Sequence, residues 1–394
     1  MSANQELFKI LEKIGNKLDI SLAQYELATS RYKAVGKYLA DGIYCNLGQC
    51  FKDGEIYPHG SIQLETVVRP IGQEAFDIDL VFFVPNISSE DISPKRLKEL
   101  IGNRLKEHKT YKDMLKETNR GWCIVYADEF HLDITPSLNK EDEPHNDSEL
   151  VADKKLEIFM PSNPKDYSKW FDKSSIQIPI FPLTRNLFKS DLMRENSMIA
   201  MDSSATVTEL PKHTPTKLLL KRFVQIFKRH RDVMFREKSD APISIIITTL
   251  ATKSYLHCIE NFDYNDEYEL MLATLYYMDD FIVEDDNRIF IIDNPTVEGE
   301  NFAEKWNEKP IKEINFRKWH TNCQSFFIQL HETKGQNIIF DSLEENFGQP
   351  AKDIYDEMTA NVNNNRINGV LGLGVASTIT AVAQKVKPNN FYGK

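Results

Sequence analysis

The sequence predicts an α+β protein on three observations. The first forty residues place apolar side chains at helical spacing, the next hundred include runs that alternate in strand fashion, and most of the chain from Pro211 onward returns to helical spacing. Residues 4–18 (NQELFKILEKIGNKL) and 21–40 predict two helices, separated at Asp19-Ile20-Ser21 by a break and a fresh N-cap. Ile56-Tyr57 then leads into His59-Gly60-Ser61, and a turn around Pro70-Ile71-Gly72 precedes FDIDLVFFVP, which alternates and is rich in strand formers. Residues 91–118 read as helical with Pro94 near a start, and WCIVYADEFHLDITPS carries two more strand signals ending at Pro136. The acidic, Asn- and Pro-containing stretch 138–168 predicts loop with short elements. Helical patterns follow in PTKLLLKRFVQIFKRHR, ISIIITTLATKSYLHCIE, residues 267–281 and WHTNCQSFFIQLHETK.

At 394 residues the chain is long enough for two lobes, expected as an α+β lobe over 1–205 and a helical lobe over 206–394 that ends in a short flexible tail. Hydrophobic residues at 41% and charged residues at 27% exclude disordered, collagen-like and coiled-coil classes. No apolar run reaches the roughly 18 residues of a membrane span, and the N-terminus lacks the order of a signal peptide, so a cytoplasmic protein with no membrane association is expected. The five cysteines (Cys45, Cys50, Cys123, Cys258, Cys323) show neither CxxC nor zinc spacing and read as reduced thiols. A net charge of -11 argues against stable binding of long nucleic acid while leaving room for a locally basic pocket for a small anion.

Asp77 and Asp79 lie two apart on a strand, so both leave the same face. Side by side they repel unless a cation sits between them, which invites a hard metal ion. Phe130, Leu132 and Ile134 alternate with His131, Asp133 and Thr135, placing Asp133 on the polar face of another strand. Three carboxylates can hold the paired metals of phosphoryl or nucleotidyl transfer. Each acid taken alone reads more simply as part of a solvated strand face. Gly60-Ser61, with 15 residues between it and Asp77, shifts the balance, because glycine admits a phosphate to the backbone and serine offers it a hydroxyl.

Thr214-Pro215 predicts a helix start, after which Lys217, Lys221, Lys228 and Arg231 fall within an arc of about 80°. This edge is either a solvated amphipathic border or a contact for a triphosphate. Ser244 is placed as an N-cap that can meet the same phosphates or simply cap its helix, and Tyr255, Tyr264 and Tyr268 are either core or base-stacking residues.

Taken together, HGSIQLETVVRP, FDIDLVFFVP, FHLDITPS, KLLLKRFVQIFKRHRD, PISIIITTLATKSY and NPTVEGENFAEKW resemble the CD-NTases, the bacterial cyclic-oligonucleotide synthases of CBASS anti-phage systems related to cyclic GMP-AMP synthase. The DNPTVEGENFAEKW stretch is also similar to a loop of oligoadenylate synthetases. The resemblance implies a DNA polymerase β-like nucleotidyltransferase lobe with a mixed sheet, a helical second lobe and a cleft between them. It implies that Gly60, Ser61, Lys228 and Ser244 bind the nucleotide, and that Asp77, Asp79 and Asp133 are catalytic and bind Mg²⁺ or Mn²⁺. It further implies nucleoside triphosphates (ATP, GTP, UTP or CTP) as substrates, a cyclic di- or trinucleotide as product, and CBASS accessory proteins as partners. A nucleotidyltransferase with another acceptor, or a non-catalytic nucleotide sensor, are the alternatives. Glu65 departs from the pattern, since many relatives carry glycine before the threonine.

Overall fold

The computed structural model describes residues 2–181 and 211–371, except 42, 45–48, 51–53, 73–74, 127–129, 141–147, 154–156, 180, 212–215 and 368–369, together with 384–385. The expected lobe boundary at 205/206, the Thr214-Pro215 helix start and the C-terminal tail lie outside the described residues.

Two helices open the chain, α1 (Ala3–Leu18) and α2 (Leu22–Ala40). Each is started by a capping box, Ser2 with Gln5 and Ser21 with Gln24, which satisfies amide groups that a helix start otherwise leaves free. A small hairpin, β1 (Ile43–Tyr44) and β2 (Gln49–Cys50), leads to β3 (Glu55–Pro58) and the single turn α3 (Gly60–Gln63). The main strands are β4 (Phe76–Val84), β5 (Leu115–Glu117), β6 (Trp122–Tyr126), β7 (Phe130–Asn139), β8 (Glu149–Asp153) and β9 (Ile158–Ser162), interrupted by α4 (Pro94–Glu107) and α5 (Tyr111–Met114). They form one seven-stranded sheet ordered β3-β4-β7-β6-β5, with β8 added to the far end of β7 and β9 to β8. Only β4 and β7 run parallel, so the sheet is mixed.

The described part of the 138–168 stretch holds the short elements expected there: the end of β7, the paired strands β8 and β9 and the start of α6 (Pro164–Ser175). Its strands are five residues each, ELVAD and IFMPS, too short for a clear alternation, and pairing at the sheet's extension fixes them.

The second half is helical, with α7 (Leu219–Met234), α8 (Ser244–Asn261), α9 (Glu267–Tyr276), α10 (Glu304–Glu308), α11 (Ile311–Glu332), α12 (Gln336–Phe347) and α13 (Gln349–Ile367). A second hairpin, β10 (Val283–Glu284) and β11 (Phe290–Ile291), leads into the loop before α10. None of the described helices is long and apolar enough to cross a membrane.

Two apolar clusters hold these parts. One joins Ile78, Leu80, Phe82, Leu132 and Ile134 from the sheet to α2 and α4, covering one sheet face. The other contains the helices from α7 onward together with Leu7, Phe8, Leu11 and Ile14 of α1 and Phe171 of α6. Helix α1 thus packs on the later helices, closely enough that a Cβ at Gly15 would fall 2.3 Å from the Arg222 guanidinium. The sheet face away from α2 and α4 is the one that carries the acids.

Candidate active site

Strand alternation sends Ile78 and Leu80 into the core and Asp77 and Asp79 to the opposite face. The parallel register then sets Asp77 beside His131 and Asp79 beside Asp133, while the antiparallel partner β6 places Cys123 next to Asp133. Neighbouring strands lie about 4.8 Å apart, so the Asp79 and Asp133 side chains rise as adjacent posts on one face. Burial raises the Asp133 carboxyl above its ordinary range; a hydrogen bond from Cys123 opposes this, and the charges of Asp79 and Asp77 add to it. Cys123 is itself pushed up to about 12 by burial and by that same carboxylate, which keeps it a thiol that donates.

Gly60 stands directly over Asp79. Its φ of +62° lies in the left-handed region, and an added Cβ would fall 2.3 Å from Asp79 Oδ2. The His59 amide donates to the Asp79 carbonyl at 2.9 Å, tying the Gly-Ser turn to β4, and the Thr66 amide donates to the Ser61 carbonyl at 2.9 Å.

A cavity of about 630 Å³ opens on this face, lined by Gly60, Ser61, Asp77 and Asp79 from the sheet side and by Lys228, Arg231 and Ser244 from α7 and α8. The structure thus brings six of the seven sequence-derived site residues to one cavity. Asp133 does not line it and stands one strand behind Asp79. Among the described residues no three His, Cys, Asp or Glu side chains are gathered at metal-binding distance. Asp77 is turned aside, with Oδ1 3.0 Å from His131 Nδ1. The donor set nonetheless suits a hard cation: three carboxylates on one face, Asp79 and Asp133 in register, with Asp133 made costly to ionise first by burial and then by the charges of Asp79 and Asp77.

The basic edge of α7 behaves differently from its expected role. Lys217 donates to the Glu65 carbonyl at 2.8 Å, and Lys221 bonds the Glu65 carboxylate and reaches Asp172 at 2.9 Å. Lys228 is 4% exposed and donates to the Thr66 carbonyl at 2.8 Å. Burial, then the nearby Arg231 charge, pull it down to about 7. Glu65 adopts φ +55°, a backbone conformation natural to glycine, which explains why glycine fits this position and why Glu65 is held from two sides. Of these lysines, only Lys228 lines the cavity.

Ser244 is the first residue of α8 rather than its cap; Ile243 occupies the cap position and makes no side-chain bond there. The Ser244 hydroxyl instead accepts from Arg231 at 3.2 Å, because the guanidinium reaches across from α7 and also donates to the Pro242 carbonyl. Tyr255 and Tyr268 are fully buried and spend their hydroxyls on the Gln177 and Phe327 carbonyls, so they are core residues, and Tyr264 packs partly buried against the same cluster.

Sequence reasoning passed over Cys123 and His131, whose places depend on strand register. The DNPTVEGEN loop proves to be a rigid cavity wall. Asn294 Oδ1 accepts from the Thr296 amide and hydroxyl, and Asn301 Oδ1 accepts from the Ile292 and Ala303 amides. Trp306 anchors the stretch against Phe290 and Phe316.

Residues 1–174 match the model of the Second Messenger Oligonucleotide or Dinucleotide Synthetase domain. The whole chain is 27% identical to a c-di-GMP synthase of Roseivirga ehrenbergii, covering 98% of that protein. Among solved structures, the CD-NTase CdnG of Bradyrhizobium diazoefficiens in complex with GTP is similar with a TM-score of 0.64 and 17% identity, over 89% of this chain and 98% of that one. The E. coli CdnC:HORMA complex is similar with a TM-score of 0.57 and 12% identity, over 87% and 97%.

Proposed function

We infer that this chain is a CD-NTase that joins nucleoside triphosphates into a cyclic dinucleotide or trinucleotide, releasing pyrophosphate at each bond formed, a reading supported by its match to the synthetase domain and its likeness to the c-di-GMP synthase. One observation carries this reading to particular residues: Asp79 stands in register with Asp133 and directly beneath the left-handed Gly60, at the edge of a cavity large enough for nucleotides. Ser61, Lys228 and Ser244 hold the donor triphosphate at the α7–α8 wall, with Arg231 beside them. A ribose hydroxyl of the acceptor then attacks the α-phosphorus; the new O–P bond forms as the bond to the β-phosphate bridging oxygen breaks, and pyrophosphate leaves with that electron pair. Asp133, made more basic by burial and neighbouring charge, accepts the hydroxyl proton. Mg²⁺ or Mn²⁺ held by Asp77, Asp79 and Asp133 would supply charge stabilisation for the attacking and leaving oxygens.

The lobe division at 205/206 belongs to the same reading, with α1 packed on the later helices across it. So do an anti-phage CBASS setting, a cytoplasmic location and accessory-protein partners.

Purified protein incubated with nucleoside triphosphates and Mg²⁺ is expected to yield an oligonucleotide that resists phosphatase because it has no free end. A phosphatase-sensitive product, or transfer only to some other added acceptor, would contradict the cyclising activity.

A further inference from the structure

We propose that Glu300 is a base-reading residue that selects guanine, an inference that rests on the nucleotide-joining reading above. Besides Ser61 and Asp79, the cavity is lined by Thr135, by Ser162 on β9 and by Asn294 and Glu300 of the DNPTVEGEN loop. The loop is preorganised on both sides of Glu300. The Asn294 amide donates to the Glu300 carbonyl at 2.9 Å, and the Phe302 amide donates to the Ile292 carbonyl at 2.9 Å. Asn294 Nδ2 also fixes the carboxylate through Oε2 at 2.7 Å. Among the described residues the other oxygen, Oε1, takes a long 3.5 Å contact from the Ser162 hydroxyl, which leaves lone pairs for a ligand's donors.

The chemistry of that capacity is selective. A carboxylate offers acceptors only, and guanine presents N1–H and the 2-amino group side by side as donors. Adenine places the N1 lone pair at the same position, which would face the carboxylate and leave it without a partner. Arg120 also lines the cavity near enough to influence Glu300 and offers a donor for the guanine O6. Burial raises the Glu300 carboxyl, while the Asn294 bond and the Arg120 charge oppose the rise and support the ionised form.

The test is equilibrium binding of non-hydrolysable GTP and ATP analogues to the full chain with Mg²⁺, alongside pyrophosphate release from GTP and from ATP. Wild type is expected to bind the GTP analogue more tightly, and Glu300→Gln to lose about 10- to 100-fold for GTP with little change for ATP. Asn294→Ser, which loosens the loop but keeps the carboxylate, should preserve the GTP preference. No base preference in wild type, or equal losses for both analogues in Glu300→Gln, would overturn the proposal and leave Glu300 a loop staple. A GTP preference in binding without pyrophosphate release from any triphosphate would sink the synthase reading while supporting the role of Glu300.

Discussion

The acidic sheet face and the basic edge of α7 look alike as sequence patterns, charged residues repeating at the period of their element, yet they end differently. On the sheet, Asp77 and Asp79 remain open to the cavity, and the Asp77 side chain is 63% exposed. On the helix side, Lys221 and Lys228 of α7 and the half-buried Lys217 just before it pack against the turn that follows Ser61, bonded to Glu65 and Thr66. Strand alternation fixes a face and the sheet's other side fills with core, so the acids have nowhere else to go. A helix edge has no such rule. Long lysines take the first acceptors within reach, and here a chain segment some 150 residues away supplies them.

The contrast can be broken most sharply at the acids. Asp79→Asn is expected to cut pyrophosphate release by about 10³-fold or more, with thermal stability unchanged or raised as like-charge repulsion falls. Retained activity would remove the acidic face from the chemistry. Gly60→Ala should lower activity by about 10²-fold, since the methyl displaces Asp79, with a loss of about 1 kcal/mol from the left-handed backbone; circular dichroism melts and turnover separate the two.

Lys228 gives a pH signature. Its ordinary value is 10.5 and its folded value about 7, so in the free protein it is neutral above pH 7. Binding a triphosphate favours the charged form, and affinity should therefore fall roughly tenfold from pH 7 to 8.5 in wild type and lose that component in Lys228→Met. A pH dependence identical in both proteins would leave Lys228 a purely structural tie to Thr66. The same depressed value means the folded chain holds fewer protons than the unfolded one between about pH 7 and 10.5, so the penalty for burying this lysine, full below pH 7, falls away as pH rises through that window.

The smallest effect is expected at Glu65. Replacing it with glycine removes the Lys221 bond but relieves a positive φ, and these should nearly cancel within about 1 kcal/mol. Glu65→Val keeps the strain, loses the bond and should melt measurably lower. Equal melting of both variants would mean the backbone conformation there has no cost.

How far the sequence could be read follows the same physics. Asp77, Asp79 and Asp133 were legible because a two-residue period needs no knowledge of partners, and the Gly60 turn was legible because glycine marks special backbone. The short elements expected over 138–168 could not be typed as strands because five residues carry little alternation and are fixed by pairing. The pairing of Asp77 with His131, the thiol of Cys123 beside Asp133 and the capture of the α7 lysines were hidden for one reason: each depends on register or on a partner from a distant segment. Ser244 was placed one position off because the cap of α8 is Ile243, which no capping preference would choose.

Joint grip of divalent cations by Asp77, Asp79 and Asp133 beside the Ser61 turn can be seen by anomalous diffraction from crystals grown with Mn²⁺ and a non-hydrolysable triphosphate. Manganese density is expected between Asp77 and Asp79, within reach of Asp133, with Asp77 released from His131 and the phosphates against Ser61. Manganese bound elsewhere, or Asp77 still paired to His131 with the triphosphate in place, would contradict it.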